Sequence, residues 1–158
     1  SIVRNVERVT VTHRQYYHFL RARSESETAA YRPGMYEKRE EEHGWMMDLY
    51  KEWHVGDARS KEMIARRYIE RFIGCVENVT NPKCDMTEKE KRDEIKKMLA
   101  NPRVEKMVRI ARPRSSYMKV MLLPVRWKST WLTYLEAKVI TFVKTKNTKL
   151  FTKLKAGR

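Results

Sequence analysis

Between residues 65 and 76 large apolar side chains return every three or four positions, at Ala65, Tyr68, Ile69, Phe72, Ile73 and Val76, with Arg66, Arg67, Glu70 and Arg71 set among them. On a helix of 3.6 residues per turn these six fall on one face, whereas on a strand they would scatter over both. Such a face is stable only when packed against something, so the rest of the chain has to supply partners. Those partners are expected to be helices as well. The 158 residues include only 5 Gly and 5 Pro, and the 35% that are charged are rich in Glu, Lys and Arg, which are good helix formers. A chain of this length has material for one core, or a core with a small appendage.

Start and stop signals divide the sequence into about seven helices. Arg32-Pro33-Gly34 closes the first region, and a helix over residues 35–53 follows with Met46, Leu49, Tyr50 and Trp53 on one face. Its run Glu40, Glu41, Glu42 reads as a solvated face. Asp57 is placed to cap the helix over residues 57–78. Thr87-Glu88-Lys89-Glu90 is a capping box ahead of Ile95, Met98 and Leu99. Asn101-Pro102 is an N-cap followed by proline at the first helical position, with Val104, Met107, Val108 and Ala111 as the buried side and Pro113 as the stop. Ser115 or Ser116 opens a short helix bearing Met118, Met121 and Leu122, which Pro124 is expected to end. Ser129 or Thr130 opens a helix to about residue 146 with Trp131, Leu135, Val139 and Phe142 on one side, and Asn147 caps a final turn or two through Leu154. The Met and aromatic stripes are expected to be core.

Self-contained catalytic chemistry is missing from the sequence. No two of His13, His18, His43 and His54 stand at i, i+4, and there is no HExxH, GxSxG, Walker A, GxGxxG or DxD motif. His43 and His54 are expected to serve packing or the surface. Cys75 and Cys84 have no CxxC partner or zinc spacing and read as reduced thiols of a cytosolic protein. The sequon Asn78-Val79-Thr80 reads as incidental. No apolar run approaches the roughly 18 residues of a spanning helix, so a membrane would be met at its surface.

Charge is distributed unevenly. Residues 101–158 hold 15 Lys and Arg but only two acids, Glu105 and Glu136, a net +13 of the chain's +15. Large apolar residues share these basic helices. A bilayer with anionic lipids meets both properties, because apolar faces enter the acyl boundary while each surface cation adds about 1 kcal/mol. Arg126, Trp127, Lys128, Trp131, Lys144, Lys146, Lys149 and Lys153 are the expected docking residues. Nucleic acid is the rival partner, attracted by the same Coulomb force. It would require Trp127, Trp131 and Tyr134 as exposed stacking platforms, and the helical period of the apolar residues favours the bilayer or core instead. A surface for docking other proteins would show an apolar patch indifferent to phosphate.

The first 33 residues differ in character. Arg8-Val9-Thr10-Val11-Thr12 reads as a strand, and a lone strand leaves its edge unpaired, so the sequence is expected to begin inside a larger protein. Tyr16, Tyr17 and His18 follow, then Arg21, Arg23, Ser24 and Ser26, a composition suited to gripping phosphate through guanidinium forks and hydroxyls. An ordinary polar loop with a helix cap would have the same composition.

The passage from Val9-Thr10-Val11-Thr12 through Tyr16-Tyr17-His18 to Arg21-Ala22-Arg23-Ser24-Glu25-Ser26 resembles the end of the catalytic domain in bacterial family 2 glycosyltransferases, where a strand runs into an aromatic segment, an Arg and a Ser-rich stretch. Residues 115–124 and the ending Lys153-Leu154-Lys155-Ala156-Gly157-Arg158 are similar to the helical C-terminal region of those polysaccharide-synthesis enzymes. The resemblance implies a GT-A nucleotide-sugar domain that uses Mn or Mg, held by a DxD pair, with a separate carboxylate as base. Neither the DxD nor such a base has a match here, so no activity is expected of this chain by itself and it would carry no cofactor of its own.

By the same resemblance, residues 1–33 finish the catalytic domain as a short β and loop remnant. Tyr17, His18, Arg21, Arg23, Ser24 and Ser26 would lie on the donor-diphosphate side, with His18 standing where the family often has an aromatic. Residues 34–158 would form a mainly α C-terminal domain whose basic amphipathic tail is expected to rest on the inner face of the cell membrane, near a lipid-linked or polysaccharide acceptor.

Overall fold

The computed structural model describes residues 30–146 together with Arg8, and over this stretch the chain is helical. Six helices follow one another: α1 (Met35–Glu52), α2 (Ala58–Val79), α3 (Glu88–Leu99), α4 (Pro102–Ile110), α5 (Ser116–Arg126) and α6 (Thr130–Lys146). The strand expected over residues 8–12, the phosphate loop and the last turns from Asn147 lie outside the described residues.

α2 is the central element, and α1, α3, α4 and α6 all pack on it. The six periodic residues of its apolar face are buried, as are Ile64, Cys75 and Val79. Ile95, Met98 and Leu99 of α3, Val104, Met107 and Val108 of α4, and Met121, Leu122 and Val125 of α5 complete one continuous core. Burying each such side chain is worth about 1.5–3 kcal/mol, which is what holds the bundle together against chain entropy.

The caps are where the sequence puts them. Asp57 accepts from the Ser60 N–H at 2.9 Å. Thr87 and Glu90 form both halves of the capping box. Asn101 accepts from the Arg103 N–H at 2.9 Å, with Pro102 behind it, and Ser115 accepts from Met118 at 3.2 Å. Gly34 opens α1 with φ +65, a conformation glycine takes without steric cost.

Several expectations are corrected. Pro124 does not stop α5, which continues to Arg126. The proline sits in the last turn, where the carbonyl it leaves without a donor belongs to Val120, an exposed residue. The acidic run of α1 is more than a solvated face. Glu40 Oε1 accepts from the Tyr68 hydroxyl at 2.6 Å, and its Oε2 from Asn101 at 3.0 Å and Arg103 at 2.8 Å, so one carboxylate ties α1 to α2 and to the start of α4. The stripe Met46, Leu49, Tyr50 and Trp53 is only half covered, while Tyr36 and His43 are the buried residues of α1. His43 packs against Tyr68 with ring centroids 4.7 Å apart, and burial, followed by the charge of Arg103, lowers its pKa. His54 lies at the surface with φ 54.

Asn78 of the sequon is engaged in both directions with the Arg32 backbone, accepting at 3.0 Å and donating at 2.9 Å. Cys75 and Cys84 are free and buried, and burial pushes the Cys75 thiol up to about 12.

Ile69 sits 1% exposed in the middle of the central helix. Ile69→Ala is therefore expected to cost about 2–5 kcal/mol of unfolding free energy in urea denaturation, through lost transfer energy and the cavity left behind. A loss below about 1 kcal/mol would mean that the site is not a packed core position.

Candidate docking face

α5 and α6 form a hairpin over one edge of the bundle. α5 leans on α4, and α6 lies against α2, α3 and α5. The turn between them is a Schellman motif: the Lys128 N–H donates to the Val125 carbonyl and the Ser129 N–H to the Pro124 carbonyl, both at 3.0 Å. Lys128 takes the left-handed position there with φ 51, where glycine is the usual residue. Ser129 then accepts weakly from Leu132 at 3.4 Å to begin α6.

α6 faces the bundle with its small and polar side. Thr133 and Ala137 are fully buried, Tyr134 nearly so, and Thr141 shares a 3.0 Å hydroxyl contact with Thr80. The row Thr133, Ala137, Thr141 at i, i+4, i+8 lets the helix backbone approach its neighbours closely. Acidic residues of other helices hold the polar groups along this side. Glu88 of α3 accepts from the Tyr134 hydroxyl and from Lys138 Nζ, the latter at 2.8 Å. Glu77 of α2 accepts from Lys144 Nζ and from the Tyr117 hydroxyl of α5. The Lys138 and Tyr134 bonds hold the Glu88 carboxyl down at about 2.

With that side inward, the apolar side must face out. Trp131 is 61% exposed and Phe142 61%, with Leu132, Leu135 and Val139 exposed between them. At 100° per residue they lie opposite Thr133 and Ala137. α5 repeats the pattern: Val120 and Leu123 are exposed on the side away from Met121, Leu122 and Val125, and Trp127 at the turn is 68% exposed. This corrects the expectation that the aromatic stripe of α6 is core. Trp131, Leu135, Val139 and Phe142 do share one side of the helix, but that side is exposed and not packed in the core.

The expected docking residues fall into three groups. Trp127 and Trp131 are exposed beside the turn, next to exposed Arg126 and Lys128. Lys128 pairs with Glu105 at 2.7 Å on the surface. Lys144 points inward to Glu77 instead. Lys146 ends α6, with its side chain outside the described residues, and Lys149 and Lys153 lie beyond them, as do Tyr17, His18, Arg21, Arg23, Ser24 and Ser26. Val120, Leu123 and Leu132 were not expected at the face. The small row at residues 133, 137 and 141 was the signal that could have shown which side of α6 turns in.

Among the described residues there is no cluster of three or more His, Cys, Asp or Glu able to hold a metal ion. No helix there is long and apolar enough to cross a membrane. Comparison with protein-family models, with curated proteins and with solved structures finds no match.

Glu136 is a half-buried acid on this hairpin. Its Oε2 is enclosed with no hydrogen-bond partner, and burial pushes the carboxyl up to about 7. Because the folded state holds this proton more tightly than the unfolded chain, the fold is favoured below the ordinary carboxylate range. That advantage is lost as pH rises through about 7. Glu136→Gln, which never ionises, is expected to melt above the wild type near pH 8 and level with it near pH 4. An equal offset at both pH values would contradict the assignment.

Proposed function

We propose that this helical bundle docks a glycosyltransferase to an anionic membrane surface through the outward face of α5 and α6. The observation that carries the docking is the inverted orientation of α6, which leaves Trp131, Leu135 and Val139 exposed. Leaving side chains of this size exposed forgoes about 1.5–3 kcal/mol for each that a partner could bury. Exposed rows of this kind mark interaction surfaces.

Charge selects the partner. Arg126, Lys128 and Lys138 border the apolar row, and the chain is strongly basic from residue 101 onward. Tryptophans beside cations suit the headgroup boundary, where the ring is half buried and the charge stays wet. The assignment to a family 2 glycosyltransferase rests on the resemblance alone. On that assignment, catalysis on a nucleotide-sugar with Mn or Mg belongs to the GT-A domain, and this bundle keeps the enzyme beside its lipid-linked or polysaccharide acceptor on the inner face of the cell membrane. Docking there raises the local acceptor concentration.

Exposure of Trp127 and Trp131 would also suit base stacking. Tyr134, however, is buried against Glu88, and the aliphatic Leu135 and Val139 offer no ring to a base. Co-sedimentation with vesicles separates the two partners. The chain is expected to sediment with anionic vesicles and not with zwitterionic ones, duplex DNA should not displace it, and Trp131→Ser/Phe142→Ser should weaken binding by roughly tenfold or more. Displacement by DNA, or full binding by the double variant, would overturn the docking assignment.

A further inference from the structure

A second concentration of charge lies where the first turns of α2 meet the linker between α4 and α5. Arg59, Lys61, Arg112 and Arg114 line a groove of about 810 Å³ there, together with Arg109 and Ile110. Arg109 is bound to Glu105. The other four cations are exposed and form no ion pair among the described residues. The groove's one acid, Glu62, is already committed: its Oε1 accepts from Arg66 Nε at 3.3 Å and from the Arg112 backbone N–H at 3.1 Å. That second bond pins the linker to α2, and Pro113 fixes the backbone between the two guanidinium groups. Four like charges are thus held around one concavity against a single carboxylate, Glu62, which is itself paired with Arg66, an arrangement that leaves an excess of positive charge and attracts anions.

We propose that this groove binds a phosphate dianion, either a phosphomonoester or a diphosphate. Two guanidinium forks match tetrahedral phosphate oxygens through paired N–H donors, and a dianion offsets more of the groove's charge than a singly charged phosphodiester does. The proposal stands apart from the docking face, although the two surfaces meet. Arg109 also lines a smaller cavity of about 300 Å³ together with Arg126 and Lys128. The phosphate could therefore come from a soluble molecule or from a lipid headgroup at the membrane.

Calorimetric titration of the full chain with inorganic pyrophosphate, at constant ionic strength set with chloride, tests the site. Saturable single-site binding is expected. Arg112→Ala/Arg114→Ala should weaken it roughly tenfold or more, while Arg126→Ala/Lys128→Ala, which removes as much charge from the neighbouring surface, should leave it within about twofold. Arg112→Lys/Arg114→Lys keeps the charge and the exposure but not the forks, and an intermediate loss is expected. Absence of saturable binding, or equal loss in the two alanine pairs, overturns the proposal. Vesicles bearing phosphatidic acid, compared with phosphatidylglycerol at equal surface charge, identify the source. A preference for phosphatidic acid that pyrophosphate competes away assigns the groove to a lipid phosphomonoester, and pyrophosphate binding without that preference assigns it to a soluble ligand.

Discussion

α6 faces the way it does because carboxylates from two other helices reach its polar side. Glu88 takes Tyr134 and Lys138, and Glu77 takes Lys144 together with Tyr117 of α5. Rolling the helix over to bury Trp131 and Phe142 would break these contacts, take Lys144 from Glu77 and Lys138 from Glu88, and replace the close fit at Ala137 with large side chains. Surface ion pairs contribute little singly, typically 0.2–1 kcal/mol. Here they act with the buried hydroxyl of Thr133, the Thr80–Thr141 contact and the small-residue row, all favouring one orientation. The outward apolar face follows from that choice.

Much of the fold was legible in local sequence. Asp57, Thr87, Asn101 and Ser115 cap the helices they precede, and the period from Ala65 to Val76 is the buried face of α2. These signals are readable because a cap or a helical face is decided within a few residues. Pro124 was misjudged because a proline near the end of a helix removes a single bond, and the carbonyl it frees lies at an exposed residue. Glu40 was misjudged because its partners Tyr68, Asn101 and Arg103 are distant in sequence, and a run of three glutamates gives no sign that one of them is spoken for.

The docking face was half legible. The periodicity assigns Trp131, Leu135, Val139 and Phe142 to one side of a helix, but periodicity alone cannot say whether that side meets the core or the solvent. Burial was the ordinary expectation, since apolar faces turn inward when nothing opposes them. What opposed them is a set of tertiary polar contacts. The basic groove at Arg112 and Arg114 was not legible at all, because it joins the first turns of α2 to a linker some fifty residues later.

Lipid-depth quenching of tryptophan fluorescence tests the docking face most directly. In a chain whose other tryptophans are replaced by Phe, Trp131 should be quenched on anionic vesicles by lipids brominated high on the acyl chain, whereas Trp45 kept as the sole tryptophan, exposed on α1, should not be. Equal quenching of the two, or none at Trp131 while the chain is bound, would contradict membrane docking through α5 and α6.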